Sequence, residues 1–198
     1  MARHVSDGRR QSERYELRRL RLVADHARGR VLDLGHAQFP NPFLDGASTT
    51  GLDLERSSNE TGYAREFVGS VMDVRSQMQG VLFDTVVAAE LIEHLERPYD
   101  FLREIREVIA PGGQLLLTTP NPLGFPTLGL EMVRSHRWFY TTDHTYYILP
   151  RWMERMLTAT GFEVLRLQPV GLWLPFGYVR WCPVWASYQV LYVARPRA

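Results

Sequence analysis

Short apolar runs alternate with helical or polar segments between residues 30 and 120 of this chain. Five runs are rich in Val, Leu, Ile or Phe and are bounded by Gly, Asp or Pro, which predicts strands at Arg30–Leu34, Thr49–Leu54, Glu66–Ser70, Phe83–Ala89 and Gln114–Thr118. A helix-like spacing of apolar residues, Tyr99–Ala110, lies between the last two. Strands that alternate with helices, some of them apolar on both faces, form parallel sheets covered on both sides. We therefore predict a doubly wound α/β domain.

The two ends of the chain complete this prediction. Gln11–Ala27 has the pattern of an amphipathic helix with an arginine-rich outer face, which assigns residues 1–29 to an N-terminal helix. A second helix is predicted over Pro150–Thr160. Two strand-like runs without a helix between them follow, which is typical of an antiparallel hairpin, at Phe162–Pro169 and Ser187–Ala194. We expect one domain, 1–198, with a seven-stranded, mostly parallel sheet and an antiparallel C-terminal hairpin.

Composition excludes several classes of protein. With 198 residues and 45% hydrophobic content, the chain can bury a real core and is not a disordered tail. The net charge is +1, so no nucleic-acid partner is expected. All 23 basic residues are arginine, which excludes chemistry that needs a lysine. Cys182 is the only cysteine, which excludes an intrachain disulfide framework and favours a reducing, cytoplasmic location.

Candidate binding residues follow from the predicted strands, because open α/β sheets bind ligands outside the carboxyl ends of their strands. Asp53 ends the second predicted strand, some twenty residues after the turn at Gly35. A carboxylate at this place can accept hydrogen bonds from both hydroxyls of a ribose. The alternative is an aspartate that only caps a turn.

Six short motifs, in this order, resemble class I S-adenosylmethionine-dependent methyltransferases: Val31–Gly35, Asp53, Phe83–Val87, Glu93–Leu95, Pro111–Leu117 and Pro120–Pro122. The match runs from about Arg30 to Ala194 and is similar to the small-molecule branch that includes ubiquinone-biosynthesis O-methyltransferases. The resemblance implies a Rossmann-like fold and S-adenosylmethionine-dependent methylation of a small molecule. Oxygen is the favoured acceptor atom because of the candidate histidines and metal site described below. The resemblance also implies cofactor contacts at six positions, namely Asp33, Gly35, His36, Asp53, Ser70 and Ala89.

The glycine loop departs from the family pattern. Where a second and third glycine are usual, this chain has Ala37 and Phe39, and two prolines follow. Side chains at these positions predict a loop that takes a different path around the cofactor. The rival interpretation is a catalytically silent methyltransferase-like scaffold or partner protein. An RNA 2′-O-methyltransferase is a third interpretation, disfavoured by the near-zero net charge.

A second group of candidate residues follows the fourth predicted strand. If residues 90–94 form a helix, Glu90, Glu93 and His94 share one face. With His144 they resemble the metal site of small-RNA 2′-O-methyltransferases, which implies Mg²⁺, Mn²⁺ or Zn²⁺ as a second cofactor. Alternatively, Glu93 and His94 only cap the turn. In the absence of a metal, His94 or His144 is the predicted general base.

The acceptor side of the site is predicted from the distribution of aromatic residues. All five tryptophans lie between Trp138 and Trp185. Most of the 15 aromatic residues after Pro120 fall in two segments, 121–150 and 171–186. These segments would overhang the carboxyl ends of the strands and suit an aromatic or lipophilic small molecule. Alternatively, the aromatic residues of these segments form the core of a lid or a dimer contact. Peripheral contact with a membrane surface is a further interpretation of the apolar region Gly171–Val190.

Overall fold

The computed structural model describes residues 16–58, 60–124, 145–174 and 177–197. Within these ranges the strands are β1 (Val31–Leu34), β2 (Thr49–Asp53), β3 (Arg65–Val68), β4 (Phe83–Ala89), β5 (Ile109–Pro120), β6 (Phe162–Leu174), β7 (Gly177–Val179) and β8 (Gln189–Pro196). The helices are α1 (16–26), α2 (Val74–Met78), α3 (Pro98–Arg106) and α4 (Pro150–Ala159). Much of the two predicted acceptor-side segments, including His144, lies outside the described residues. The assignment of 1–198 to one domain therefore stays a prediction.

All strands form one sheet in the order β3-β2-β1-β4-β5-β8-β6-β7. The first five strands pair in parallel, and β8 runs antiparallel to both β5 and β6. This arrangement confirms the predicted seven-stranded, mostly parallel sheet with an antiparallel C-terminal pair. The three-residue strand β7 is an addition that pairs with the end of β6.

The third helix is shorter than the sequence predicts, because the chain joins the sheet sooner. Pro98 occupies the first turn of α3, as expected, but the helix ends at Arg106 rather than Ala110. Ile109 pairs with Phe83 in the neighbouring strand, and the register then shifts before the pairing of Gln114 with Thr85. The intervening Pro-Gly-Gly sequence therefore forms an irregularity within β5 instead of the loop before it.

Helices cover both faces of the sheet. On one face, α3 and α4 bury Phe101, Leu102, Ile105, Met153 and Leu157 in the larger of two hydrophobic cores. On the other face, Val23 of α1 packs with residues from the central strands, namely Val31, Val87, Leu116 and Leu191. None of the helices in the described ranges has the length and apolarity needed to cross a membrane.

The strand order reverses between β1 and β4, since β2 and β3 lie to one side of β1 and β5 lies beyond β4. In open α/β sheets a crevice opens at the carboxyl ends of the strands at such a reversal. The connection from β1 to β2 contains a single 3-10 turn, Gly46–Ser48, and no α-helix. The loop that begins at Gly35 is therefore compact, and it borders this crevice.

Candidate functional site

Gly35 opens the loop after β1 in a conformation that requires glycine. Its φ angle is +73°, and a Cβ atom would lie 3.0 Å from the Cδ1 atom of Leu91. Its backbone N–H donates to the Leu52 carbonyl at 3.0 Å. The first turn therefore holds bare backbone between the ends of β1 and β4, and the cofactor contact that the resemblance implies for Gly35 stays a prediction.

Asp53 lies at the end of β2, as predicted, and holds the loop after β1. Its Oδ2 atom accepts a 2.7 Å hydrogen bond from the backbone N–H of Ala37. Its Oδ1 atom has a long 3.4 Å contact with the backbone N–H of Glu55. Ala37 is buried, whereas Phe39 is 63% exposed. The loop thus folds back onto Asp53, and the Oδ1 atom of this carboxylate makes only one long hydrogen bond.

His36 lies inside the protein beneath this loop. Its ring packs on Gly51 so closely that a Cβ atom there would be 2.5 Å from the His36 Cε1 atom. The Nε2 atom is 3.4 Å from a carboxylate oxygen of Glu66, and the ring centroid is 5.4 Å from that of Tyr63. His36 therefore fills the space between the loop and the sheet.

Asp33 is 4% exposed and shares this buried region. The Tyr63 hydroxyl donates a 2.7 Å hydrogen bond to its Oδ2 atom. Burial raises the pKa of Asp33 to about 6, although the Tyr63 hydrogen bond and the charges of His36 and Arg19 act to lower it. Tyr63 was not predicted as a site residue, because no motif surrounds it in the loop between β2 and β3.

The two remaining predicted cofactor residues lie at other strand ends. The Ser70 hydroxyl accepts a 3.1 Å hydrogen bond from the backbone N–H of Met72 and caps a 3-10 turn that starts at Val71. Ala89 ends β4 and is half-buried against the core on the α1 side. These positions place Ser70 beyond β3 and Ala89 at the strand-order reversal.

Residues 90–94 do not form the helix on which the predicted metal set depends. Glu90 has a left-handed backbone, with φ +51°, and only Ile92–His94 forms a 3-10 turn. As a result, Glu93 is buried whereas His94 is exposed. Within the described ranges, no group of three or more His, Cys, Asp and Glu side chains could hold a metal ion. The metal set of Glu90, Glu93 and His94 is therefore not assembled, and His144 lies outside these ranges.

Instead, Glu90 and Glu93 belong to a buried cluster with Arg19, Thr118, Thr119 and Gln189, which we call the Arg19–Glu90 cluster. The Gln189 side-chain amide donates to Glu90 Oε2 at 2.7 Å. Arg19 of α1 is 4% exposed and pairs with Glu16 at 2.6 Å. Burial raises the pKa of Glu90, opposed by the charge of Arg19. Burial, followed by the Glu90 charge, raises the pKa of Glu93 well above its ordinary value.

Many polar atoms of this cluster lack a partner. In the described part of the chain, ten buried side-chain nitrogen and oxygen atoms make no hydrogen bond, and seven of them belong to the cluster: Arg19 Nη1, Glu90 Oε1, both Glu93 oxygens, Thr118 Oγ1, Thr119 Oγ1 and Gln189 Oε1. Buried polar atoms are nearly always satisfied, so a local concentration of unsatisfied ones marks a place that a ligand, an ion or ordered water would complete. The cluster lies where β4 and β5 end and β8 begins.

Sequence reasoning missed Arg19 and Gln189, although one signal was present. The pattern of α1 assigned its arginines to the outer face of the helix. Arg19, however, precedes Val23 by one helical repeat and adjoins Leu20, and both of those residues are buried. Gln189 carries no such signal, because its neighbourhood depends on the pairing of β8 with β5.

Comparisons with known proteins agree with this fold. A family model described as a methyltransferase domain matches residues 7–167, and the chain belongs to that family. It is a class I S-adenosylmethionine-dependent methyltransferase, an enzyme whose cofactor is S-adenosylmethionine.

Several similar curated proteins and solved structures carry methyltransferase names. Ubiquinone biosynthesis O-methyltransferase from Aliivibrio fischeri (strain MJ11) is 26% identical over 164 residues, which cover 73% of this chain and 70% of the relative. A possible histamine N-methyltransferase from Thermotoga maritima has a similar structure, with a TM-score of 0.71, 15% identity and coverage of 98% and 96% of the two chains. The CcbJ methyltransferase from Streptomyces caelestis has a TM-score of 0.63 and 17% identity, with coverage of 92% of this chain and 95% of that chain.

Proposed function

We propose that this chain transfers the methyl group of S-adenosylmethionine to a small molecule bound over the carboxyl ends of β4 and β5. The observation that carries the proposal is the strand-order reversal between β1 and β4, because open α/β sheets bind their ligands at such a reversal. Along this edge lie the Gly35 turn, Asp53 and the unpartnered atoms of the Arg19–Glu90 cluster. The ubiquinone biosynthesis enzymes among the relatives support a small-molecule acceptor by their name.

The residues along this edge fit the cofactor. Asp53 Oδ1, which has only a long contact, can accept a hydrogen bond from a ribose hydroxyl. Gly35 leaves room for close approach of the backbone. We assign Arg19 Nη1, a buried donor without a partner, to the methionine carboxylate. The bound cofactor supplies a methyl group activated by its sulfonium charge.

The other predicted cofactor residues have more indirect roles in this proposal. Asp33 and His36 are engaged with Tyr63 and Glu66, so they hold the loop that surrounds the cofactor. Ser70 stabilises the turn after β3. Ala89 provides a small side chain beside the transferred methyl group.

Glu93, in place of His94, is the side chain at the end of β4 that we propose to contact the methyl acceptor. It is buried at the end of β4, both of its oxygens lack a partner, and its pKa is raised by burial and by Glu90. A carboxylate in this position can accept hydrogen bonds from a bound acceptor. In the sequence, the histidines and the candidate metal ligands are what favour oxygen as the atom that is methylated. With His94 exposed, the proposal of O-methylation now rests on the names of the relatives.

One observation favours the silent interpretation as a second candidate. The backbone N–H of Ala37 already occupies Asp53 Oδ2, an atom that a ribose would otherwise use. Calorimetric titration with S-adenosylmethionine and S-adenosylhomocysteine separates the two candidates. Heat of binding with both ligands supports the enzyme, and absence of heat with either supports the silent protein.

Two variants of Asp53 connect that titration to the site. Asp53→Asn keeps an oxygen that can accept from Ala37, whereas Asp53→Ala removes both the loop contact and the ribose acceptor. We expect Asp53→Ala to weaken cofactor binding about tenfold or more, and Asp53→Asn to have a smaller effect. Glu55→Gln, an exposed change two residues away, serves as the control and should bind as the wild type does.

A further inference from the structure

The Arg19–Glu90 cluster has more free hydrogen-bond acceptors than free donors. Its unpartnered acceptors are Glu90 Oε1, both oxygens of Glu93 and Gln189 Oε1. Its single unpartnered atom that can only donate is Arg19 Nη1. The hydroxyls of Thr118 and Thr119 can do either. The group that would complete the cluster is therefore one that donates several hydrogen bonds.

The charges of the cluster also favour a ligand that donates hydrogen bonds, and in particular one that is positively charged. Glu16, Glu90 and Glu93 all act on the Arg19 guanidinium, and Glu16 already binds two of its nitrogens. Burial and the charges of Glu90 and Glu16 raise the pKa of Tyr188, a neighbour on the β8 side, to about 12. Buried carboxylates without enough positive charge are costly, so a cation that enters gains strong, unscreened attraction.

The backbone holds the acceptors in place. Glu90 adopts φ +51°, its N–H donates to the Thr118 carbonyl at 3.0 Å, and Gln189 fixes its side chain. A non-glycine residue persists in this conformation only where its surroundings impose it, and such residues concentrate at ligand sites. Glu90 follows directly on β4 at the strand-order reversal, so the cluster lies at the end of the sheet where open α/β folds bind ligands.

We propose that the Arg19–Glu90 cluster recognises a protonated amine on the methyl acceptor, with Glu93 as its principal partner and Glu90 as the second carboxylate. The acceptor class is then a small molecule that carries an ammonium group. An ammonium supplies three donors and one positive charge, which matches both the surplus of acceptors and the surplus of carboxylates. This inference rests on the proposed function, because it places the amine on the acceptor rather than on the cofactor.

The test compares an amine with its matching alcohol. Calorimetry measures the binding of 2-phenylethylamine and of 2-phenylethanol to the protein saturated with S-adenosylhomocysteine, in buffer that contains EDTA. The saturating ligand carries its own ammonium, so that group is already accommodated. We expect the amine to bind about tenfold more tightly than the alcohol. The preference should fall to below about threefold in Glu93→Gln, and Glu96→Gln, an exposed change on the same segment, should keep it.

Each outcome decides the proposal. Equal affinity for the two probes in the wild type, or no binding of either, overturns it, and so does an unchanged preference in Glu93→Gln. Should Glu93→Gln fail to fold, Glu90→Gln takes its place. The ratio of the amine and alcohol affinities in the wild type then still tests the proposal. A protein that binds S-adenosylhomocysteine without an amine preference contradicts this inference alone. A protein that binds neither cofactor form contradicts the proposed function.

Discussion

The hydroxyl of Tyr63 donates a 2.7 Å hydrogen bond to Asp33 Oδ2 beneath the loop that follows β1. The bond joins a residue of strand β1 to a residue of the loop between β2 and β3. It only partly offsets the burial of Asp33, because the pKa of that carboxyl still rises from 3.8 to about 6. The folded protein therefore binds the Asp33 proton more tightly than the unfolded chain does.

This difference predicts a pH dependence of stability. Ionised Asp33 is disfavoured in the folded state, so its contribution to the free energy of unfolding falls as pH rises from about 4 to about 6. A shift of about two pKa units corresponds to about 3 kcal/mol. Asp33→Asn keeps an acceptor for Tyr63 and cannot ionise, so it should gain stability relative to the wild type over that pH range. Urea unfolding at several pH values measures the difference, and parallel curves for the two proteins would contradict the prediction.

Gly51 and His36 form a pair in which one residue leaves room for the other. Gly51→Ala places a Cβ atom against the His36 ring, and we expect it to lower the free energy of unfolding by about 1–3 kcal/mol. His36→Ala removes the obstacle, so the double variant should lose less stability than the sum of the two single changes. Chemical denaturation of the four proteins completes the cycle. Simple additivity would show that the two side chains do not compete for space.

The burial of Arg19 leads to a prediction about stability, for which the exposed Arg103 is the control. Arg19 and Arg103 each pair with an acid three residues before them in a helix, but the Arg19 side chain is buried and that of Arg103 is 59% exposed. Arg19→Gln leaves the carboxylates of the cluster without their cation and should cost about 3 kcal/mol or more at pH 7. Arg103→Gln should cost less than about 1 kcal/mol. Thermal and urea unfolding provide both values, and equal losses would argue against the buried cluster.

The sheet could be predicted from the sequence because apolar content decides which segments enter it. The observed bounds of β4 coincide with the predicted ones, and β2 ends at Asp53, one residue before its predicted end. Helix α3 was predicted too long, since its spacing of apolar residues continues into residues that pair with Phe83. A periodic pattern does not reveal where a tertiary contact ends a helix.

The candidate site was harder to predict, because its members meet through tertiary structure. Glu90 and Glu93 were singled out, but five residues contain too little periodicity to distinguish a helix from a left-handed residue and a 3-10 turn. The contact between Glu90 and Gln189 spans 99 positions in the chain and depends on strand pairing. The role of Asp53 towards ribose stays a prediction, although its place at the end of β2 is confirmed.

The position of β8 between β5 and β6 affects how this protein is made in a cell. During synthesis, β5 and β6 emerge from the ribosome before the segment that must separate them. Until β8 inserts, each presents an open edge to which another nascent chain or a chaperone can attach. Completion of the sheet, and of the cluster to which Gln189 belongs, consequently waits until β8 has been synthesised.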